Sequence, residues 1–388
     1  MALKRRRLAQ RRRSMGYSQE SLAERLRIER STVGRWERAE TDPVPWIRPK
    51  VALALEITLD HLNELLKDVE RVQDQPDDHL DYTLNNPAKV DLVAVAYLRQ
   101  RVQAVADGYD SNPSALLLAN AGQCHGQVSY LRQHTPKNRV RNELWTVESE
   151  SAILMGQLVW DASQRRDHAT ALAFYDQAIA AAHERRDMLT EGQAELRKCY
   201  VALYGSRDPR EGLVRALRAA HIARDISDAL TGLALLHAGE AYAMEGDRKN
   251  CEKMLASAEA AFTNIKEGDA AGEQFSPTQF GRLAGSCYLF LGDPARAQRY
   301  LEETASSLHT WRKSRAIVLG NLSLARLRQG QIDGATTSLN EAIDILEETR
   351  GGGGLNVAFA AGLELQPWRE QASVCEVHDR LMGLMTTA

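Results

Sequence analysis

From about Val90 almost to the carboxyl end, one recurring pattern constrains this chain more than any other. It is a short turn, then a small residue, then an apolar helical segment. The turns read Asp167-His168-Ala169-Thr170-Ala171, Asp208-Pro209-Arg210-Glu211-Gly212, Gly246-Asp247-Arg248-Lys249-Asn250-Cys251, Gly292-Asp293-Pro294-Ala295-Arg296-Ala297 and Gly330-Gln331-Ile332-Asp333-Gly334-Ala335. The small residues fall at 171, 212, 251, 297 and 335, in steps of 41, 39, 46 and 38 residues. A unit of that size cannot bury its apolar face alone, and stacked neighbours bury a continuous core. Period-two alternation is nearly absent, so an all-α chain with essentially no sheet is expected.

Residues 1–67 read as a separate series of short amphipathic helices. Residues 68–88 read as a linker, partly helical at its start. It carries the acids Asp68, Glu70, Asp74, Asp77, Asp78 and Asp81 against Arg71, and it is broken by Pro76, Pro87 and Asn85-Asn86. Residues 89–388 form the repeat domain, with one or two helical pairs expected over 90–145. Gly351–Gly354 reads as a flexible break before residues 355–385, where Trp368, Leu381 and Met385 are expected to cap the stack.

Charge is divided along the chain. Residues 1–50 hold 14 Lys/Arg and 6 Asp/Glu, a balance of +8, and the remainder holds 35 and 46, a balance of -11. A basic head on an acidic body points to a polyanion partner for the head alone. No run of about 18 apolar residues exists, so no membrane span is expected. The basic run Lys4–Arg13 has no apolar stretch after it and does not read as a signal peptide.

Cys124, Cys199, Cys251, Cys287 and Cys375 are scattered, without CxxC, and read as reduced core thiols of a cytoplasmic protein. His125, His134, His168, His183 and His309 show no metal spacing, and the 351–354 glycines lack the Lys-Ser/Thr of a phosphate loop. No catalytic residue, metal or cofactor is expected.

The body resembles tetratricopeptide (TPR) repeats over roughly residues 145–350. The likeness rests on Gly239-to-Tyr242 and Gly285-to-Tyr288 in first helices, the Gly-Asp turns, and the small residue that opens each second helix. Small residues let antiparallel helices approach closely. The resemblance implies an α-solenoid whose concave face is lined by first helices. Aligning the units on their small residues puts Gln157, Trp160, Arg197, Tyr204, His237, Glu240, Gln279, Arg282 and Asn321 on that face. Such polar groups can bond a peptide backbone, and arginines can take a carboxylate.

In the head, helices are expected over Lys4–Met15, from the Ser18 cap to Leu26, over about Arg30–Arg38, and over Val51–Leu55 and Leu59–Leu66. Tyr17-Ser18-Gln19-Glu20-Ser21-Leu22-Ala23-Glu24-Arg25-Leu26, followed by Ser31-Thr32-Val33-Gly34-Arg35-Trp36-Glu37-Arg38 and Pro43, resembles the Cro/C1-type helix-turn-helix of the Xre family. The resemblance covers about residues 3–67. Arg27 and Ala39 depart from it, since each stands where the family usually has glycine. It implies that the third helix enters the major groove of duplex DNA. Ser18 and Gln19 then stand at the start of the supporting helix, where Gln19 holds a phosphate and buttresses the reading residues. Arg30, Ser31 and Arg35 fall where base edges are read. An arginine fork suits guanine O6 and N7, so Arg30 or Arg35 is expected to specify a G. Thr32, Arg38, Arg12 and Arg13 are expected to touch phosphates. Arg5, Arg6 and Arg7 are divided evenly between phosphate contact and solvation, and Gly34 leaves room for close backbone approach. Trp36 belongs to the core, and Trp46 packs on the head or meets a partner.

Head and body together resemble the peptide-sensing Rap/Rgg/NprR/PlcR/PrgX group. The resemblance implies a bacterial, cytoplasmic transcription regulator, active as a homodimer on half-sites about 34 Å apart or a multiple of this. Its body would sense a small ligand such as a signalling peptide, as in quorum sensing. The alternative is a DNA-bound scaffold whose body docks a partner protein. An enzyme survives only as a Rap-like body that acts on such a partner.

Overall fold

In this computed structural model the described residues are 3–67, 70–71, 76–272, 276–308 and 311–386. Asp68, Asp74 and His309, and the side chains of Arg6, Glu70 and Asp77, lie outside them. The chain divides into two compact units, Met1–Asn85 and Asn86–Ala388.

The first unit holds α1 (Arg6–Ser14), α2 (Gln19–Leu26), α3 (Arg30–Glu37), α4 (Arg48–Ala54), α5 (Leu59–Lys67) and α6 (Pro76–Asn85). Leu8, Leu22, Leu26, Val33, Trp36, Val51, Leu55 and Leu62 are its buried core. The helix α6 forms inside the stretch read as linker. A two-residue antiparallel ladder pairs Leu3 with Arg71 and Lys4 with Glu70, a small departure from pure helix.

The second unit is a run of antiparallel pairs: α7 (Leu92–Asp107) with α8 (Ser114–His134), α9 (Asn138–Ala162) with α10 (His168–Arg185), and α11 (Met188–Val201) with α12 (Pro209–Ala223). They continue as α13 (Asp228–Met244) with α14 (Arg248–Thr263), α15 (Pro277–Phe290) with α16 (Pro294–Ser307), α17 (Arg312–Leu327) with α18 (Ile332–Thr349), and α19 (Gly352–Glu364) with α20 (Ala372–Thr386). Local chemistry explains the turns. Gly246 and Gly292 take left-handed φ of 79° and 69°, which ends one helix without a Cβ clash. The next residue caps the following helix: Asp247 Oδ1 accepts from Asn250 N at 3.0 Å, and Asp293 Oδ1 from Arg296 N at 3.2 Å. Ala171, Cys251, Ala297 and Ala335 are fully buried where paired helices cross.

Three expectations need correction. Gly351–Gly354 is no flexible break: Gly351 caps α19, and the three glycines that open it are buried. A Cβ on Gly352 would stand 2.8 Å from the Asp161 carbonyl oxygen, so only glycine lets α19 lie against the end of α9. At the end of the stack Leu381 is buried, but Met385 is exposed. Cys375 is likewise at the surface, while the other four cysteines are buried.

Candidate nucleic-acid interface and polar cluster of the body

On α3, Val33 and Trp36 turn inward while Ser31, Arg35 and Arg38 are exposed, as the 3.6-residue period requires. Arg30 is also exposed and pairs with Glu20 at 2.5 Å. Ser31 Oγ donates to Glu29 Oε2 at 3.0 Å. Arg38 holds Glu40 through Nε (2.7 Å) and Nη2 (3.3 Å). Thr32 is half-buried on the first turn. Ser18 caps α2: its Oγ accepts from Ser21 N at 3.0 Å, and Ser21 Oγ accepts from Ser18 N at 2.8 Å. Gln19 Nε2 donates to Glu37 Oε2 at 2.6 Å and ties α2 to α3. Gly34 is buried beneath the Arg38 guanidinium, so backbone approach there requires Arg38 to move. Trp46 is exposed, with Lys50 over its ring at 5.8 Å.

Three of the basic residues in the amino-terminal run do other work; Arg11 donates to the carbonyls of Leu55 (2.9 Å) and Glu56 (3.0 Å). Arg12 is buried, its Nε donating to Glu37 Oε1 at 2.7 Å and its Nη1 to the Tyr17 carbonyl at 2.5 Å. It is therefore not a phosphate contact, because leaving that site would strand a buried carboxylate. Arg5 is buried too. It donates to the carbonyls of Leu66 (2.7 Å) and Trp36 (2.9 Å) and pairs with Asp42, stapling the termini of α3 and α5. Arg13 is exposed. The two residues that stand in place of glycine, Arg27 and Ala39, both adopt left-handed backbone, with φ of 54° and 53°.

In the body, the structure gathers Trp160, Arg197, Tyr204, His237, Glu240 and Arg282 into one cluster. Tyr204 Oη donates to Glu240 Oε2 and lies 2.8 Å from His237 Nδ1, and Ser286 Oγ donates to Glu240 Oε1 at 2.6 Å. Tyr204 sits in a π-turn over Ala202–Ser206 that extends α11 and shifts the register of its side chains. Gln157 hydrogen-bonds Tyr109 at the margin of this group. Gln279 instead accepts from Ser276 N at 3.5 Å at the start of α15, and Asn321 is buried on α17.

Sequence reasoning missed Arg165, Tyr109, Tyr200 and Ser286. The Arg165 guanidinium lies 4.8 Å from the Trp160 ring and 5.6 Å from that of Tyr204. Tyr200 packs on His237 at 4.4 Å and carries Arg197 at 5.5 Å. The spacing of Arg197, Tyr200 and Tyr204 on one helix face was a usable signal. Arg165 follows α9 in a turn, where helix periodicity says nothing.

Burial pushes the Tyr204 hydroxyl well up, and the Glu240 charge adds to it. Burial also pushes His237 down, against the pull of Glu240 and with help from Arg282 and Arg197. Burial works to raise the Glu240 carboxyl, but the bonds from His237, Ser286 and Tyr204 outweigh it and hold it low. A neutral His237 and an ionised Glu240 follow.

Residues 8–45 match the family HTH_3, helix-turn-helix. No curated protein matches this chain in sequence. Among solved structures, the chain is similar to a Rap protein complexed with competence and sporulation factor, at 14% identity and a TM-score of 0.52, covering 95% of this chain and 99% of that one. It is also similar to Bacillus thuringiensis PlcR in complex with the peptide PapR7 and DNA, at 16% identity and a TM-score of 0.30, covering 66% and 93%. A third likeness is to a STAND signal-transduction ATPase with a tetratricopeptide-repeat sensor from Pyrococcus horikoshii, at 15% identity and a TM-score of 0.41, covering 88% and 59%. Residues 8–45 thus carry a helix-turn-helix of the Cro/C1 type, and the body has a TPR-like helical fold. The amino-terminal unit is a DNA-binding domain.

Proposed function

We propose that this protein is a sequence-specific transcriptional regulator of a bacterial cytoplasm, acting as a homodimer, whose TPR-like body senses a small ligand such as a signalling peptide. The observation that carries the DNA half is the exposed face of Arg30, Ser31 and Arg35 inside the matched helix-turn-helix, backed by a buried Gln19–Glu37–Arg12 brace. Phosphate contact by Thr32, Arg13 and Arg38, with the start of α2 at Ser18 and Gln19 against the backbone, positions that face without specifying sequence. The body half is supported by the Trp160–Arg197–Tyr204–His237–Arg282 cluster, where side chains from four successive helix pairs meet. Ligand binding that changes the spacing of two heads changes operator affinity. No catalytic step enters this reading. Genome-wide mapping of bound DNA, followed by titration of the recovered site with parent and Arg35→Ala protein at fixed salt, tests it. Recovery of no preferred sequence would defeat it.

A further inference from the structure

Most buried or half-buried cations of the body have a carboxylate. Lys313 has Asp161, Arg132 has Glu148, Arg215 has Glu195 and Arg326 has Glu302. Arg165, Arg197 and Arg282 are exceptions: each is half-buried, and none has an ion pair among the described residues. They meet around Tyr200 and Tyr204: Arg165 lies 5.6 Å from the Tyr204 ring and Arg197 5.5 Å from that of Tyr200, and Arg282 acts electrostatically on both hydroxyls. Three positive charges around one group of rings, against the single carboxylate of Glu240, leave an excess that is unfavourable unless something negative joins them.

Two further observations fall on the same spot. Trp160 Nε1, Arg165 Nε and His237 Nε2 are buried without a hydrogen-bond partner, although Trp160 is 5% and His237 1% exposed. A buried donor or acceptor left without a partner costs about 1–3 kcal/mol, so native proteins keep few of them. Arg165 also takes a left-handed φ of 61°, next to Gln164 at 53°, a strain that clusters at ligand sites.

We infer that Arg165, Arg197 and Arg282 form the seat of an oxyanion, the carboxylate or phosphate of the ligand, with Trp160 Nε1–H as a fourth donor. This rests on reading the body as a ligand sensor. Planar guanidinium forks give such a group charge and directed donors together. The rings of Tyr200, Tyr204 and Trp160 supply apolar walls for what the oxyanion is attached to. Glu240 is occupied by Tyr204 and Ser286, so it does not compete for the arginines.

The test is thermal unfolding of the full chain with inorganic phosphate, triglycine or triglycine amide, against chloride at equal ionic strength. A saturable rise with phosphate or triglycine is expected. Triglycine acting where its amide does not names a carboxylate, and phosphate acting alone names a phosphate. The Arg197→Gln/Arg282→Gln variant should lose roughly tenfold or more in apparent affinity. Its melting temperature without anion should equal or exceed the parent's, because like charges are removed. Arg210→Gln, at an exposed site, should behave as the parent. No saturable rise, an undiminished rise in the double variant, or a double variant that melts well below the parent without anion would each overturn the seat. DNA affinity is read in the same samples. Saturable anion binding that leaves it unchanged upholds the seat and defeats the sensor reading instead.

Discussion

Asp161 and Lys313, 152 residues apart in sequence, form a buried ion pair at 3.0 Å. Asp161 also accepts from Ser114 Oγ at 2.6 Å and from the Gly352 backbone N–H at 2.8 Å, so one carboxylate joins α8, α9, α17 and α19. Asp110 adds a second tie by accepting from the backbone N–H groups of Arg312 and Lys313. The solenoid therefore closes one turn on itself, and Arg165 sits four residues from the closure.

Breaking that closure from one side should be costly. Asp161→Ala strands the Lys313 ammonium in a buried site, and a loss of about 3–5 kcal/mol is expected. Burial already holds the Lys313 ammonium below its ordinary pKa, with Asp161 opposing. Asp161→Leu combined with Lys313→Met should recover much of the loss, since no charge is left unpaired. Chemical denaturation of the full chain checks both, and a double variant no better than the single would refute the pairwise account.

Arg35 and Arg12 should separate recognition from architecture. Arg35→Ala removes an exposed side chain, so folding is expected to persist while about 1–3 kcal/mol of discrimination at one base pair disappears. Arg12→Ala leaves Glu37 buried with only Gln19 for company, and the head should lose about 3–5 kcal/mol of stability. Arg38→Ala should weaken binding to all sequences alike and reduce the salt slope by about one. Titration against specific and random duplexes at several salt concentrations distinguishes the three. A stable Arg12→Ala head would show that the brace is not structural.

These contrasts show which features sequence reveals. The small residues at 171, 251, 297 and 335 were legible because close helix packing excludes bulk locally. Arg197, Tyr204, His237, Glu240 and Arg282 were legible because repeat alignment carries a face from unit to unit. The Asp161–Lys313 closure was not, since it depends on how seven helix pairs accumulate curvature. The glycines at 352–354 looked like a break for the same reason: their packing partner lies nearly 200 residues earlier. A run of arginines also does not disclose that Arg5 and Arg12 are held by carbonyls and Glu37 while Arg13 stays free at the surface.

Arg27 and Ala39 hold left-handed backbone that glycine adopts without a Cβ penalty. Arg27→Gly and Ala39→Gly should each stabilise the head by about 0.5–1 kcal/mol, the relief at the turn being partly offset by added freedom of the unfolded chain. Hydrogen exchange of the α2 and α3 amides in the full chain measures this. Slower exchange is expected, and faster exchange in both variants would mean that the long Arg27 side chain or the Ala39 methyl contributes more than the strain costs.

Acid should loosen the body through His237. Its folded pKa is depressed, first by burial and then by Arg282 and Arg197, with Glu240 opposing. Below the ordinary value of about 6.5 the unfolded chain binds a proton that the folded chain refuses. The stability contribution is therefore complete above that pH and is lost as pH falls through the window down to the folded value, at up to about 1.4 kcal/mol per pH unit per proton. His125, lowered by burial against Glu148 and Gln177, adds a parallel loss. The groups around His237 are Arg197, Tyr200 and Tyr204 from α11 and its π-turn, Glu240 on α13, and Arg282 from α15. Of these, only Glu240 favours the protonated ring. Denaturation midpoints from pH 8 to pH 5 should fall on the acid side, and His237→Gln should flatten part of that slope. An unchanged slope in the variant would place the acid sensitivity elsewhere.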